Sequence, residues 1–143
     1  MIKKGHTLKL LCFTNPSKRI LYLSEAYHGS CHDFKILKEE FNTNKENWFS
    51  KIEIFVDLGF LGIQKHFSKA VKIPFKRSKN KKLTEKQKRY NKSVSQIRIK
   101  VEHSIGGMKR YRILSDRLRM KSMVRYNQIA GICAGLWNFN LTS

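Results

Sequence analysis

The chain has 143 residues, a length that fits one small domain and leaves little room for a second. Apolar residues make up 41% and aromatic residues 11% of the sequence, which excludes a disordered basic tail, and no apolar run approaches the roughly 20 residues of a membrane span. Lysine and arginine number 30 against 10 acidic residues, so the net charge is +20 and a polyanion such as nucleic acid is the expected partner.

The positive charge is concentrated in the second half of the chain. Residues 76–125 carry 18 basic and 3 acidic groups, net +15, whereas residues 1–75 carry 12 and 7, net +5. This asymmetry predicts one strongly positive, phosphate-binding face.

The cysteines, Cys12, Cys31 and Cys133, are odd in number and far apart, which indicates neither a disulfide framework nor a zinc module. We expect a cytoplasmic protein, nucleoid-associated in a bacterium, or a nuclear one in a eukaryote.

Two short apolar runs, "HTLKLLCFTN" and "KRILYLSEAY", open the chain on either side of the turn cluster Asn15 to Ser17. They predict an antiparallel hairpin. In "HGSCHDFKILKEEF", Ser30 precedes Asp33 by three positions and apolar residues follow at helical spacing. This predicts an amphipathic helix with a capping box that begins at Ser30.

"KIEIFVDLGFLG" alternates apolar and polar residues and then meets two glycines, which predicts a strand that ends near Asp57 and a tight turn. "KAVKIPFK" predicts a further short strand, kept at an edge or an end by Pro74. Residues 76–83 read as a basic linker exposed to solvent.

A long helix is predicted over residues 84–110, because Thr84 and Gln87 form a capping box and apolar residues recur every three or four positions. Gly106 and Gly107 are expected to interrupt or end it. A more apolar helix is predicted over 122–141. The order of elements predicts a single α/β domain over 1–143 with a mixed sheet.

Glu102 is the sole acidic residue between Lys86 and Ser115, among nine basic ones. It lies at the border of the apolar face of the predicted helix, on a stripe that it can share with Arg98, Lys109 and Asn91. The plain interpretation is a salt bridge with Arg98, worth about 0.3–0.5 kcal/mol.

Asp57 favours a second interpretation, because ligand crevices form at the carboxyl ends of strands. As an alternative, Asp57 caps the turn before Gly59. Two carboxylates in so basic a protein suggest Mg²⁺, which takes oxygen ligands, waters and substrate phosphate.

Several stretches resemble the DDE-superfamily transposases of bacterial insertion sequences and their Harbinger-like eukaryotic relatives. They are "HTLK", "ILYLSEAYHGSCHDFKIL", "VDLGFLGI", "IPFKRSKNKKLTEKQKRYN" and "RIKVEHSIGGMKRYRIL", and the resemblance covers roughly residues 5 to 140. Its most specific part is Arg98, Glu102 and Lys109, with three and then six residues between them. These match the Arg-Glu-Lys signature around the third catalytic acid, although Ser95 stands where that signature often has tyrosine.

The resemblance implies a ribonuclease-H-like mixed sheet with flanking helices and a metal-holding triad of two aspartates and a glutamate. Asp57 matches the second acid and Glu102 the third. Both are expected to be catalytic residues and metal ligands. The first acid has no match, so we expect the first central strand to be lacking. Asp33 is a candidate third ligand or a helix cap. The implied cofactor is Mg²⁺ or Mn²⁺ in a two-metal site. The residues expected to bind DNA are Arg98, Lys109, Asn91, Lys76, Arg77, Lys79, Lys81, Lys82 and Arg110.

The function expected from this resemblance is that of the C-terminal part of a transposase, with transposon ends, target DNA, the upstream part of the transposase and a further copy of the chain as partners. Its reaction would be metal-dependent phosphodiester hydrolysis and strand transfer. Lacking the first aspartate, the chain is expected to be inactive alone. The alternative is a non-catalytic basic protein that binds nucleic acid, or a transposase remnant that only binds. A third possibility is that the reading frame is one piece of a gene split by frameshifting or decay.

Overall fold

The computed structural model describes residues 8–41, 52–66, 71–115 and 122–142. Contacts divide the chain into two compact units, which are described separately: one comprises the residues up to Cys31 and from Lys100 onward, and the other comprises His32 to Ile99. The strands are β1 (Leu8–Lys9), β2 (Cys12–Thr14), β3 (Ile20–Leu23), β4 (Tyr27–His28), β5 (Ile54–Phe55) and β6 (Val71–Lys72). The α-helices are α1 (Asp33–Glu40), α2 (Glu85–Lys109), α3 (Arg112–Ser115) and α4 (Met123–Asn140).

The predicted hairpin is confirmed in the first unit. Strand β2 pairs with β3 in antiparallel register, with Cys12 opposite Leu23, and β1 pairs with β4 beyond them. The turn between β2 and β3 includes Lys18 in a left-handed conformation with φ 67°. Asn15 closes this turn through its backbone and through its side-chain oxygen, which accepts from the Arg19 N–H.

The core of the first unit joins this hairpin to the C-terminal helix. Ile20, Met108, Cys133 and Ala134 are buried together, with Trp137 packed against them. Burial of these apolar side chains is the main favourable contribution to the stability of the unit. Cys12, Leu23, Tyr111, Leu114 and Ile129 complete the cluster.

Polar contacts also tie helix α4 to the hairpin. The Asn138 carboxamide accepts from the backbone N–H of Ile20 and donates to its carbonyl, both at 2.8 Å. The carbonyl of Lys18 accepts from the Ser104 hydroxyl at 2.7 Å and from the Trp137 indole at 2.9 Å. Ser104 is fully buried, so this hydrogen bond removes the cost of an unpaired hydroxyl.

The second unit contains α1 and the parallel pair of β5 and β6, in which Ile54 lies opposite Val71. The prediction that Ser30 begins a capping box is wrong. The N-cap of α1 is His32, whose side chain makes no capping hydrogen bond, and Asp33 is the first residue of the helix. A carboxylate at that position is still favourable, because the helix N-terminus carries partial positive charge.

Helix α2 begins as its sequence predicts. The Thr84 hydroxyl accepts from the Gln87 N–H at 3.3 Å, and the Gln87 side chain accepts from the Thr84 N–H at 3.0 Å. The expectation that Gly106 and Gly107 interrupt or end the helix is wrong, since α2 continues through both to Lys109. The Trp137 ring lies against Gly107 in the space that a Cβ would occupy, so packing explains this glycine.

The described residues form a mixed α/β structure with three two-stranded sheets. Strand β5 is shorter than predicted, since it ends at Phe55. Strand β6 ends before Pro74, as expected because proline has no N–H to donate to a neighbouring strand. Among the described residues, no helix combines the length and the apolar character needed to cross a membrane.

Candidate functional site

Asp57 lies two residues after β5, at the start of a 3₁₀ turn over Leu58–Phe60. One of its carboxylate oxygens accepts from the Leu58 N–H. The turn-capping role that the sequence left open is therefore present. The side chain is 54% exposed, so it keeps contact with solvent.

The second oxygen of Asp57 accepts a hydrogen bond from the Arg98 guanidinium at 3.0 Å. Arg98 is 30% exposed and projects from α2. From the sequence, Arg98 was expected to form a salt bridge with Glu102 or to bind DNA, and its ion pair with Asp57 was not anticipated. Arginine at this position therefore contacts the carboxylate that ends the β5 segment.

Glu102 follows Arg98 by one turn of α2, with an exposed side chain. Lys109 is the last residue of α2 and Arg110 the next, and both are exposed. These three residues belong to the first compact unit, whereas Asp57 and Arg98 belong to the second.

Asn91 is engaged with the backbone of Phe75. The Phe75 N–H donates to its side-chain oxygen at 2.8 Å, and its side-chain nitrogen donates to the Phe75 carbonyl at 3.0 Å. This carboxamide therefore pairs with Phe75 as a neighbouring strand would. A DNA contact by Asn91 stays a prediction.

The basic loop, residues 76–83, follows Phe75 and ends at the cap of α2. Its backbone turns back on itself, with a bridge between Ser78 and Lys81. All five of its cations are exposed, which is the arrangement that attraction to phosphates requires. They are Lys76, Arg77, Lys79, Lys81 and Lys82.

Asp33 lies against the turn that follows Asp57. A Cβ on Gly59 would be 2.6 Å from Oδ2 of Asp33, so only glycine allows this approach without displacing the carboxylate. Among the described residues, no group of three or more histidines, cysteines, aspartates or glutamates is placed to hold a metal ion. A role for Asp33 as a third ligand stays a prediction.

The donor chemistry of the two main acids nevertheless suits Mg²⁺ or Mn²⁺. Both are carboxylates, and hard divalent cations bind with one or two carboxylates, waters and substrate phosphate. Each oxygen of Asp57 makes one of the hydrogen bonds described above, and a carboxylate oxygen offers about two acceptor positions. Asp57 therefore retains capacity for a cation.

The cysteines give no sign of a further site. Cys12, Cys31 and Cys133 are free thiols. Burial raises the pKa of Cys12 to about 11, so this thiol stays protonated at neutral pH and is a poor nucleophile.

Comparison with known proteins decides the family. The sequence matches the family described as DDE superfamily endonuclease over residues 1–138. The chain belongs to this family. It is also 32% identical over 137 residues to a protein of Microchaete diplosiphon named "Probable transposase for insertion sequence element IS702". That alignment covers 95% of this chain and 47% of the relative, so the chain spans about half the length of the curated relative it matches. No solved structure matches the chain significantly.

Phe75 was not among the residues that the sequence led us to expect at a DNA interface. The residue is 47% exposed and it immediately precedes the basic loop. An aromatic residue beside a run of cations is a signal for nucleic-acid binding, and this signal was available in the sequence.

Proposed function

We propose that this chain acts on transposon-end DNA as part of a transposase, by metal-dependent hydrolysis of a phosphodiester bond followed by strand transfer. The observation that carries the proposal is the contact between Asp57 and Arg98. It joins the carboxylate predicted as the second acid to the first residue of the Arg-Glu-Lys signature. The family match and the net charge of +20 support DNA as the substrate.

In this proposal Asp57 and Glu102 would hold Mg²⁺ or Mn²⁺, which would activate a water or hydroxyl and stabilise the leaving oxygen. The protein's own part is to present carboxylate oxygens at the end of β5 and on α2. Glu102 lies one turn after Arg98 on the same helix, which supports a common site for the signature residues.

In this proposal the basic side chains hold the DNA backbone. Arg98 also neutralises Asp57, and Lys109 and Arg110 stand at the end of α2, where positive charge is favourable. The basic loop adds five exposed cations. We propose a ribonuclease-H-like arrangement, a further copy of the chain as partner and a location with the cell's DNA, supported by the family match and the α/β content.

The proposal is tested with charge-neutralising variants of the two acids. In a transposase that contains this chain, Asp57→Asn and Glu102→Gln should lower Mg²⁺-dependent nicking of supercoiled DNA about 100-fold or more, because each removes a proposed ligand. Both should weaken Mn²⁺ binding, measured by electron paramagnetic resonance, about tenfold. DNA affinity in EDTA should change less than about twofold, since neither acid binds phosphate.

Two matched controls remove the same charge elsewhere. Glu53 pairs with Lys72 at 3.6 Å, close to β5, and Glu85 pairs with Lys88 on α2. Glu53→Gln and Glu85→Gln should leave nicking and Mn²⁺ binding unchanged. If Asp57→Asn and Glu102→Gln bind Mn²⁺ as the controls do, the metal site is wrong. If they lower DNA affinity as much as nicking, the carboxylates are structural, and a non-catalytic protein that binds nucleic acid becomes the better interpretation.

A further inference from the structure

Phe75 presents an aromatic ring to solvent at the start of the basic loop. The residue is 47% exposed. Tyr90 of α2 packs edge-on against it, with the ring centroids 5.3 Å apart and the planes at 66°. Part of the Phe75 ring is thus supported by the protein while the rest is left accessible.

The backbone of Phe75 is also fixed. Both its N–H and its carbonyl are hydrogen-bonded to the Asn91 carboxamide, at 2.8 and 3.0 Å. With its backbone held and its ring packed against Tyr90, Phe75 loses little conformational freedom when a ligand contacts it, which increases affinity. The position is therefore suited to binding through its ring.

A shallow hollow beside this ring is lined by cations and by one further apolar side chain. Lys76, Lys81 and Lys82 supply the charge and Leu83 the apolar surface, and Ser78 and Gln87 complete the lining. Neither aspartate nor glutamate is among these residues. Such a hollow suits a ligand with a flat apolar face and several negative charges.

An unpaired nucleotide within a DNA strand has both properties. Its base offers a π-face that stacks on aromatic side chains, and its phosphates attract lysine. In duplex DNA the bases are stacked on each other, so an enzyme reaches a base face after that nucleotide leaves the stack or where the DNA is single-stranded.

We propose that Phe75 and the lysines around it form a subsite for an unpaired nucleotide of DNA. The base stacks on the exposed ring of Phe75, and Lys76, Lys81 and Lys82 hold the adjoining phosphates. This inference rests on the proposed function for its choice of DNA, and it adds that the strand bound here is unpaired.

The test measures DNA binding by the whole chain in EDTA, so that no metal-dependent step contributes. The probes are a fluorescent thymidine oligonucleotide of about 12 nucleotides, within the usual range of single-strand site sizes, and a blunt-ended duplex of matched length made from two complementary strands. Phe75→Leu removes the π-face but keeps an apolar side chain against Tyr90, and Phe75→Tyr keeps the aromatic ring. The control is Phe139→Leu, because Phe139 lies on α4 and is 69% exposed.

We expect Phe75→Leu to weaken binding of the single strand about tenfold, as the loss of one base–aromatic stack does, and binding of the duplex less than about twofold. Phe75→Tyr and Phe139→Leu should bind as the unchanged protein does. Ultraviolet irradiation of the unchanged complex should crosslink a thymine to the peptide that contains Phe75, which tests the contact without any variant.

Three results would overturn the inference. In the first, Phe75→Leu binds the single strand as tightly as the unchanged protein does, or its affinities for the single strand and for the duplex fall by the same factor. In the second, crosslinks form exclusively at other peptides. In the third, the chain binds anionic lipid vesicles more tightly than the oligonucleotide and Phe75→Leu abolishes that binding. Failure of both DNA probes to bind would also reject the proposed function, whereas failure of Mg²⁺-dependent nicking alone leaves this inference standing.

Discussion

The Arg98 guanidinium donates to the Asp57 carboxylate at 3.0 Å, although the two residues are 41 positions apart in the sequence. An ion pair this exposed contributes at most about 1 kcal/mol to stability. Its larger effect is on the affinity for a metal ion, because a fixed cation beside a carboxylate opposes the binding of a second cation.

We therefore predict that Arg98→Ala tightens Mn²⁺ binding at least about threefold in the absence of DNA. Arg98→Lys, which keeps the charge, should change it less than about twofold. In Asp57→Asn, the same Arg98→Ala substitution should have little effect, because the carboxylate is gone. This double-mutant cycle isolates the pair. Weaker Mn²⁺ binding in Arg98→Ala would contradict the prediction and make Arg98 a support of the metal site.

The adjacent glycines of α2 should respond oppositely to alanine. Gly107→Ala places a methyl group where the Trp137 ring lies, and this overpacking should lower the free energy of unfolding by about 1–3 kcal/mol. Gly106 has nothing within 4 Å of its Cβ position, so Gly106→Ala should raise it by about 1 kcal/mol through helix propensity. Urea denaturation measures both. Equal effects of the two substitutions would reject the close packing of Trp137 on the helix.

Asn138→Asp should destabilise the first unit. The substitution replaces the amide donor to the Ile20 carbonyl with a carboxylate oxygen, which leaves that carbonyl unpaired at a cost of about 1–3 kcal/mol. Asn140 is the control on the same helix, since it is exposed and makes a 3.4 Å hydrogen bond to Tyr111. Thermal unfolding followed by circular dichroism should show a lower unfolding temperature for Asn138→Asp and a nearly unchanged one for Asn140→Asp.

Lys18→Gly should stabilise the protein. Lys18 has φ 67°, and a residue with a Cβ pays about 1–2 kcal/mol for the left-handed conformation, whereas glycine adopts it freely. The backbone carbonyl that accepts from Ser104 and Trp137 is kept. Ser17→Gly is the control in the same turn and should instead destabilise. A lower unfolding temperature for Lys18→Gly would show that the lysine side chain contributes more than its backbone strain costs.

Local signals predicted the local structure. Alternation and turn residues located the hairpin, and the capping pair Thr84 and Gln87 located the start of α2. The errors concern one helix start and one helix interior. His32 rather than Ser30 precedes α1, which no contact among the described residues explains. Gly107 lies within α2, where Trp137 packs in the space of a Cβ, a tertiary contact that local preference does not predict.

Sequence patterns did not predict the long-range polar contacts. Two asparagines, Asn91 and Asn138, each pair with the backbone of a residue far away in the chain, Phe75 and Ile20. Spacing rules describe neighbours on one helix or strand, so they carry no signal for such partners. For the same reason the carboxylates were recognised individually, whereas the ion pair of Asp57 was not foreseen.

The basic loop has a thermodynamic consequence. Its two ends are fastened to α2, by Asn91 to Phe75 on one side and by the cap at Thr84 on the other, while its five cations repel one another. The folded state therefore holds an electrostatic cost that any bound polyanion relieves. Binding and folding are linked equilibria, so DNA at a hundredfold excess over its dissociation constant adds about 2.7 kcal/mol to the free energy of unfolding. The protein should be most resistant to heat when a polyanion such as DNA is bound to it.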